Sequence, residues 1–254
     1  MIKEFKKENL NIKVFSNRKL LGKNAADNVS GLIKELLKKQ DEVRIIFGSA
    51  PSQDEFIDEL VKCDGIEWKK ITAFHMDEYI GLGKDSPRLF SKYLQDRLFS
   101  KVPFKEVNII EPFENPEKEC RRYEARLKEK PIDIICLGIG ENGHIAFNDP
   151  PVADFKDPYW VKIVELDNIS RQQQVNDKCF ASIDEVPAAA VTLTIPAMIS
   201  GRHLSAVVPG IRKAPAVKRT IIYRISTECP ATILRTHKNA ILYLDINSAS
   251  EVLF

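Results

Sequence analysis

The sequence has few of the residues that cross-link small proteins or bind metals. Its five cysteines are an odd number, they are irregularly spaced, and none belongs to a CxxC pair. They are Cys63, Cys120, Cys136, Cys179 and Cys229. This pattern fits neither a disulfide framework nor a zinc site, and it predicts reduced thiols in a cytoplasmic protein.

The chain also lacks long apolar runs and a charge excess. No run approaches the ~20 apolar residues of a membrane span, and the N-terminal stretch MIKEFKKENLNIKVF lacks the apolar core of a signal peptide. The net charge is only +2, with lysines scattered rather than clustered. We therefore expect a soluble cytoplasmic protein whose partner is neither nucleic acid nor membrane, with assembly into a homo-oligomer left open.

The sequence does contain an alternation of short β-branched runs and helical patterns. With 254 residues, 44% of them hydrophobic, the chain can bury a sizeable core. Strands are predicted at residues 12–15, 43–47, 71–76, 107–110, 132–139, 161–166, 203–208 and 240–245. This order predicts one α/β domain over residues 1–254, with a Rossmann-like, open, mostly parallel sheet and helices on both faces. One helix is predicted to begin at Pro87 with Ser86 as its N-cap.

Four polar stretches follow predicted strands, at residues 48–52, 75–79, 138–149 and 210–213. In open α/β sheets, ligands bind at the carboxyl ends of the strands. We therefore expect the functional site to be built from these four stretches.

The stretch LGIGENGHIAFNDP carries the GxGxxG pattern of a dinucleotide-binding turn at Gly138, Gly140 and Gly143. In that fingerprint the third glycine opens a helix, whose N-terminus receives the pyrophosphate. Here an Asn-Asp pair and two prolines follow closely, which leaves little room for a helix. The pattern favours a tight glycine turn over the alternative of an NAD-dependent redox enzyme.

The glycine turn presents His144, with Asn142 before it and Asp149 after it. Histidine accepts and donates protons near neutral pH, and a neighbouring carboxylate fixes its tautomer and supports its charged form. The alternative is a histidine that only bonds its own loop. The glycines and the nearby acid favour a role in proton transfer.

The remaining stretches offer an acid and an anion site. In FHMDEYIGL, Asp77 follows a buried strand, where partial desolvation raises a carboxylate's pKa and makes it a base towards a C–H proton; a turn or N-cap role is the alternative. In FGSAPS, Gly48 and Ser49 offer N–H groups and a hydroxyl to an anion, unless Ser52 only caps the next helix. Lys213 in PGIRKAPAVKR adds a point charge for a phosphate.

Five stretches, in this order, resemble the glucosamine-6-phosphate deaminase (isomerase) family, whose wider superfamily includes the 6-phosphogluconolactonases. They are FHMDEYIGL, LGIGENGHIAFNDP, CFASIDEVPAAAVTLTI, GIRKAPAV and CPATILRTH, and the resemblance runs from about residue 43 to the C-terminus. The pairing of the aspartate–glutamate–tyrosine box with the glycine–histidine loop makes the resemblance specific.

The resemblance implies an aldose–ketose isomerisation coupled to loss of ammonia, without a metal or organic cofactor. The substrate it implies is a hexosamine 6-phosphate, with glucosamine 6-phosphate and water giving fructose 6-phosphate and ammonia. By similarity, His144 opens the sugar ring with support from Asn142 and Asp149, and Asp77 removes the C2 proton. The phosphate-binding residues implied are Gly48, Ser49, Lys178 and Lys213.

Three positions depart from the family pattern, and other functions stay open. Asn142 stands where aspartate is frequent, Asp149 where glutamate is usual, and Lys178 where an arginine commonly binds phosphate. Galactosamine 6-phosphate is an alternative substrate, because an epimer differs by one hydroxyl. A 6-phosphogluconolactonase-type hydrolase is a second alternative. Outside enzymes, the alternative is a sugar-phosphate sensor.

Overall fold

The computed structural model of the chain describes residues 1–253. Its strands are β1 (Lys3–Lys7), β2 (Leu10–Phe15), β3 (Val43–Phe47), β4 (Ile71–His75), β5 (Asp77–Ile80), β6 (Glu106–Asn108), β7 (Ile134–Leu137), β8 (Val161–Glu165), β9 (Ala189–Leu193), β10 (His203–Val208) and β11 (Ala240–Asp245). Its α-helices are α1 (Arg18–Leu37), α2 (Asp54–Leu60), α3 (Phe90–Leu94), α4 (Pro116–Lys128), α5 (Asn168–Asn176), α6 (Ile195–Met198) and α7 (Ala214–Ile222).

Eight strands form one sheet in the order β1-β2-β11-β10-β7-β3-β4-β6. Every neighbouring pair is parallel except β1 with β2, which is antiparallel. Parallel neighbours need crossover connections, and the helices between the strands supply them. The predicted fold class, a mostly parallel α/β sheet flanked by helices, is confirmed. One domain over residues 1–254 stays a prediction.

Different helices cover the two faces of this sheet. Along β3, Val43, Ile45 and Phe47 join the apolar cluster of α1 and α2, while Ile46 joins that of α4 and α7. Burial of one such side chain contributes roughly 1.5–3 kcal/mol. A strand covered on both faces is mostly apolar, which explains the run VRIIF, where only the buried Arg44 is charged. In the described chain, no helix is both long and apolar enough to cross a membrane.

Three strands form a separate antiparallel sheet in the order β5-β9-β8. The pattern at residues 161–166 predicts β8 as a member of the parallel sheet, which is wrong, and no pattern predicts β1, β5 or β9. Strand β5 has 4 residues and follows β4 after Met76 alone. Its residues therefore look like a continuation of β4, whereas the chain passes at Met76 from one sheet into the other.

The small sheet connects strand β5 to the loop that follows β7. Asp77, the first residue of β5, pairs with Thr192 of β9. The hydroxyl of Thr192 accepts a hydrogen bond from the backbone N–H of Phe147 at 3.0 Å. The side chain of Asn148 donates to the Leu193 carbonyl at 2.7 Å. Strand β9 therefore binds both β5 and the loop that follows β7.

Helix α3 begins at Phe90 rather than at Pro87, and Ser86 is not its N-cap. The first N–H groups of the helix, those of Phe90 and Ser91, donate to the Glu78 carboxylate at 3.0 and 2.9 Å. Helix N-termini need such acceptors, and a local side chain usually provides them. Here Glu78, fully buried on β5, caps the helix from a distance, so the predicted local cap is wrong.

Replacing Glu78 by alanine leaves three buried N–H groups, those of Tyr79, Phe90 and Ser91, without their acceptor. Each unsatisfied buried group costs roughly 1–3 kcal/mol. We therefore expect Glu78→Ala to lower the free energy of unfolding in urea by at least about 2 kcal/mol. Glu114→Ala, at an exposed position, is the control and should change it by less than about 0.5 kcal/mol. Equal stability of the two variants would contradict the capping role.

Candidate active site

Loops from four neighbouring strands, β10, β7, β3 and β4, meet around one cleft at the carboxyl edge of the main sheet. Helix α5 lines one of its sides. The polar lining consists of Ser49, Ser52, Gln53, Asp77, His144, Gln173, Gln174 and Lys213. Gly48 also lines the cleft. The cleft thus brings together residues from at least five separate parts of the chain, the four loops and α5.

The glycine loop is shaped around the His144 ring. A Cβ at Gly140 would lie 2.1–2.3 Å from three atoms of the imidazole. Gly143 has a φ of +93°, in the region that favours glycine. Residues 144–160, all of them described, contain no helix, so the predicted lack of a helix after the glycines is confirmed. The loop supports a histidine and does not have the form of a dinucleotide-binding turn.

Three oxygens surround the Nδ1 atom of His144. They are Asn142 Oδ1 and Ser170 Oγ, both at 2.8 Å, and Asp149 Oδ1 at 2.9 Å. Asn142 directs its Nδ2 to the Asp149 carboxylate at 2.8 Å, which leaves Oδ1 facing the ring. Because that Oδ1 and an ionised carboxylate can only accept, Nδ1 carries a hydrogen. In the neutral ring Nε2 then has a free lone pair.

Asp149 is fully buried and yet remains ionised. Burial raises its pKa, but the charge of His144 and hydrogen bonds from His144, Asn142 and Ser170 outweigh burial and lower the pKa to about 2. The aspartate reaches the ring directly, although it is one methylene shorter than a glutamate. A carboxylate that stays charged at neutral pH stabilises the imidazolium formed during proton transfer.

Asp77 lies in the same cleft in a very different environment. Asp77 is only 7% exposed, and no described residue donates a hydrogen bond to its carboxylate. Burial, with a smaller effect from the negative charge of Glu78, raises the pKa of Asp77 well above its ordinary range. A carboxylate with a raised pKa is a stronger base once it is ionised. Asp77 and His144 therefore present two different proton acceptors to one space.

The lining of the cleft also contains a buried cation. Lys213 is 7% exposed, its ammonium group has no hydrogen bond or ion pair with a described residue, and burial lowers its pKa. The hydroxyl of Ser49 is also buried and has no hydrogen-bond partner within residues 1–253. The N–H of Gly48 is already bonded to the Cys136 carbonyl at 2.8 Å. A phosphate would satisfy the lysine and the hydroxyl, but not the Gly48 N–H.

Lys178 is not brought into the cleft. It follows the last residues of α5 with a φ of +62°, its side chain is exposed, and it is absent from the cleft lining. The left-handed backbone at this position ends the helix and turns the chain away. The position of Lys178 therefore does not support the phosphate-binding role that the resemblance implies.

Helix α5 brings three buried side chains to the site that no motif predicts, Ser170, Gln173 and Gln174. The side chain of Gln173 also accepts a hydrogen bond from the backbone N–H of Glu141, in the glycine loop that carries His144, at 2.8 Å. Their spacing of i, i+3 and i+4 places them on one helix face, and this polar face is the signal from which they could have been found. Within residues 1–253, no three His, Cys, Asp or Glu side chains form a group suited to a metal ion.

Sequence comparison connects the chain to known enzymes. The family model described as glucosamine-6-phosphate isomerases/6-phosphogluconolactonase matches residues 16–243. A glucosamine-6-phosphate deaminase of Listeria innocua is 37% identical over 204 residues, which cover 80% of this chain and 84% of the relative. One of Bacillus cereus is 33% identical over 220 residues, which cover 86% of this chain and 82% of the relative.

Solved structures share the fold. A monomeric glucosamine-6-phosphate deaminase has a TM-score of 0.86 at 28% identity, over 94% of this chain and 99% of its own. A 6-phosphogluconolactonase from Thermotoga maritima has a TM-score of 0.74 at 18% identity, over 93% of this chain and 99% of its own. At 18% identity, the similarity to the 6-phosphogluconolactonase shows a shared fold only.

We expect Gly140→Ala to displace the His144 ring, because the new methyl group would lie 2.1–2.3 Å from it. The variant should lose roughly 1–3 kcal/mol of stability and should show shifted His144 imidazole resonances by NMR. Gly83→Ala is the matched control, since nothing lies within 4 Å of a Cβ there. His144 resonances that are identical in Gly140→Ala and the wild type would disprove this packing.

Proposed function

The chain belongs to the glucosamine-6-phosphate isomerase/6-phosphogluconolactonase family, and we propose that it is a glucosamine-6-phosphate deaminase. It is an enzyme acting on a small sugar phosphate, and it converts glucosamine 6-phosphate and water to fructose 6-phosphate and ammonia. Relatives that bear this name support the assignment. The observation that carries it is the cleft, which is lined by a buried carboxylate without a hydrogen-bond donor among the described residues, a histidine and a buried lysine.

In the proposed mechanism, His144 opens the sugar ring. Its Nε2 takes the proton of the C1 hydroxyl and gives a proton to the ring oxygen as the bond between C1 and that oxygen breaks. The product is the open-chain aldehyde. Between the two transfers the ring is an imidazolium, which the ionised Asp149 stabilises through Nδ1.

Asp77 then carries out the isomerisation. Its carboxylate removes the C2 proton, and the electron pair of that bond forms a C1=C2 double bond while the C1 oxygen is protonated. Return of a proton to C1 converts this enolamine to a ketose imine. Water adds at C2 and ammonia leaves, giving fructose 6-phosphate. A buried base with a raised pKa suits the removal of a weakly acidic carbon-bound proton.

Lys213 and Ser49, which line the same cleft, bind the phosphate. Lys213 is buried and its ammonium group has no ion pair with a described residue, so a phosphate dianion would supply one. Binding energy from this non-reacting group holds C2 against Asp77 and so contributes to the rate of the chemical step.

Ammonia release from a panel of sugar phosphates tests the proposal. The purified protein is incubated with glucosamine 6-phosphate, galactosamine 6-phosphate or 6-phosphogluconolactone, and both ammonia and acid are measured. We expect ammonia, with the highest kcat/KM for glucosamine 6-phosphate. Acid from the lactone with no ammonia from either amino sugar would favour a lactonase. Thermal stabilisation by the sugar phosphates without turnover would favour a sensor.

Asp77→Asn is expected to lower kcat at least about 10²-fold, a typical loss for a general base. In the wild type, kcat/KM should fall as the pH is lowered, because Asp77 must be ionised to accept the proton. Its raised pKa places this decline above the pH at which an ordinary aspartate titrates. Asp85→Asn, at an exposed position, is the control. Turnover by Asp77→Asn at the rate of the control would exclude Asp77 as the base.

Lys213→Met is expected to raise KM for glucosamine 6-phosphate roughly tenfold or more, the loss expected for one charge-assisted hydrogen bond. The change in kcat should be smaller. Lys178→Met is the matched control, because that side chain is exposed and outside the cleft, and it should leave KM unchanged. The reverse result, with KM raised only in Lys178→Met, would move the phosphate site to the end of α5.

A further inference from the structure

Asp167 stands at the N-cap position of α5 but does not cap the helix. Aspartate is a preferred N-cap because its carboxylate accepts the first helical N–H groups. Here Oδ2 instead accepts a hydrogen bond from Asn142 Nδ2 at 3.2 Å, and the backbone N–H of Asp167 donates to Asp149 Oδ2 at 3.3 Å. The side chain therefore serves the network around His144 rather than the helix.

Ser170, one turn into α5, joins the same network. It is 1% exposed and does not line the cleft. Its hydroxyl donates to Asp149 Oδ1 and lies 2.8 Å from His144 Nδ1. Ser170 thus holds the Asp149 carboxylate beside the ring nitrogen that carries the hydrogen.

Asn142 connects these residues to the ring. Its Oδ1 accepts the backbone N–H of His144 at 3.0 Å and faces Nδ1 at 2.8 Å. Its Nδ2 donates to Asp149 and to Asp167. An amide has no charge of its own and can rotate, so that Nδ2 would face Nδ1 and favour a hydrogen on Nε2. The hydrogen bonds from Nδ2 to the carboxylates of Asp149 and Asp167 prevent that rotation.

We propose that Asp167 and Ser170 are positioning residues for His144. Asp167 fixes the amide of Asn142 so that Oδ1 faces the ring, and Ser170 fixes the carboxylate of Asp149. Together they keep the hydrogen on Nδ1 and the lone pair of Nε2 free to accept a proton. The effect on catalysis rests on the proposed role of His144 in ring opening, whereas the effect on the tautomer does not.

The first test separates catalysis from binding and from folding. Asp167→Asn and Ser170→Ala should lower kcat roughly tenfold, a loss typical of residues that orient a functional side chain, with KM within about twofold because neither residue lines the cleft. Asparagine is also a good N-cap, so Asp167→Asn preserves α5. Glu165→Gln, exposed and two residues earlier, removes the same charge and should have no effect. Wild-type kcat in Asp167→Asn overturns the proposal.

Nitrogen-15 NMR of His144 gives a readout that does not require turnover. The wild type should show a hydrogen on Nδ1, and Asp167→Asn should show a mixture of the two tautomers. An unchanged tautomer in Asp167→Asn overturns the proposal. Absence of ammonia release by the wild type would instead count against the proposed function, so the two failures are distinguishable.

A charge exchange gives the sharpest test. Asn142→Asp alone places a third carboxylate between Asp149 and Asp167, and it should lower kcat by repulsion. Adding Asp167→Asn removes one of the three charges and supplies a donor to the new aspartate. Asp167→Asn should therefore decrease kcat in the wild type but increase it in Asn142→Asp. Equal decreases in the two backgrounds would overturn the proposal.

Discussion

The site depends on the register of β5 against β9. Asp77 pairs with Thr192 across these strands, and the hydroxyl of Thr192 also accepts the N–H of Phe147 in the histidine loop. One position on β9 therefore sets both the proposed base and the loop that carries His144. Because side chains alternate along a strand, a slip of one residue would turn Asp77 to the opposite face of the small sheet. The large parallel sheet supports this arrangement, but the small antiparallel sheet defines it.

Two buried aspartates in the site contribute to stability with opposite sign. Asp149, with a pKa of about 2, stabilises the fold above the pH at which an unfolded aspartate titrates, and this contribution is lost on acidification towards pH 2. Asp77 has a raised pKa, so its ionised form is less favourable in the fold than in the unfolded chain. That cost is present above its folded pKa and disappears on acidification. The difference arises because the charge of His144 and hydrogen bonds from neighbouring side chains offset burial at Asp149. Burial and the charge of Glu78 both raise the pKa of Asp77, to which no described residue donates a hydrogen bond.

Much of the fold could be predicted, because the pattern of apolar residues along the sequence indicates which strands and helix faces are buried. The central strands of the large sheet, such as β3 and β7, are buried and mostly apolar, and VRIIF at residues 43–47 is predicted with the bounds that β3 has in the structure. The small sheet was not predictable, since β5 is short and carries two acids, Asp77 and Glu78, in a buried strand. Nor was the start of α3, because its cap comes from Glu78 on a strand rather than from its own sequence.

Some residues of the candidate site could likewise be predicted from the sequence, and others could not. His144, Asp77 and Lys213 follow strands of the parallel sheet, so the rule that ligands bind at carboxyl strand ends brings them to one cleft. Ser170 lies in α5 and Asp167 at its N-cap position, just after β8 of the small sheet, and their contacts depend on how that helix packs. The position of Lys178 outside the cleft could not be predicted for the same reason. Nothing in the local sequence reveals that the chain turns at a left-handed residue just after α5.

The fold keeps Asp77 buried in the cleft, with no hydrogen bond from a described residue, at a cost to its own stability. The free energy of unfolding of the wild type and of Asp77→Asn, measured by denaturant titration across a series of pH values, tests it most directly. We expect Asp77→Asn to be the more stable protein near pH 8, and we expect the difference to vanish as the pH falls and the carboxyl group is protonated. Equal or lower stability of Asp77→Asn at pH 8 would contradict it.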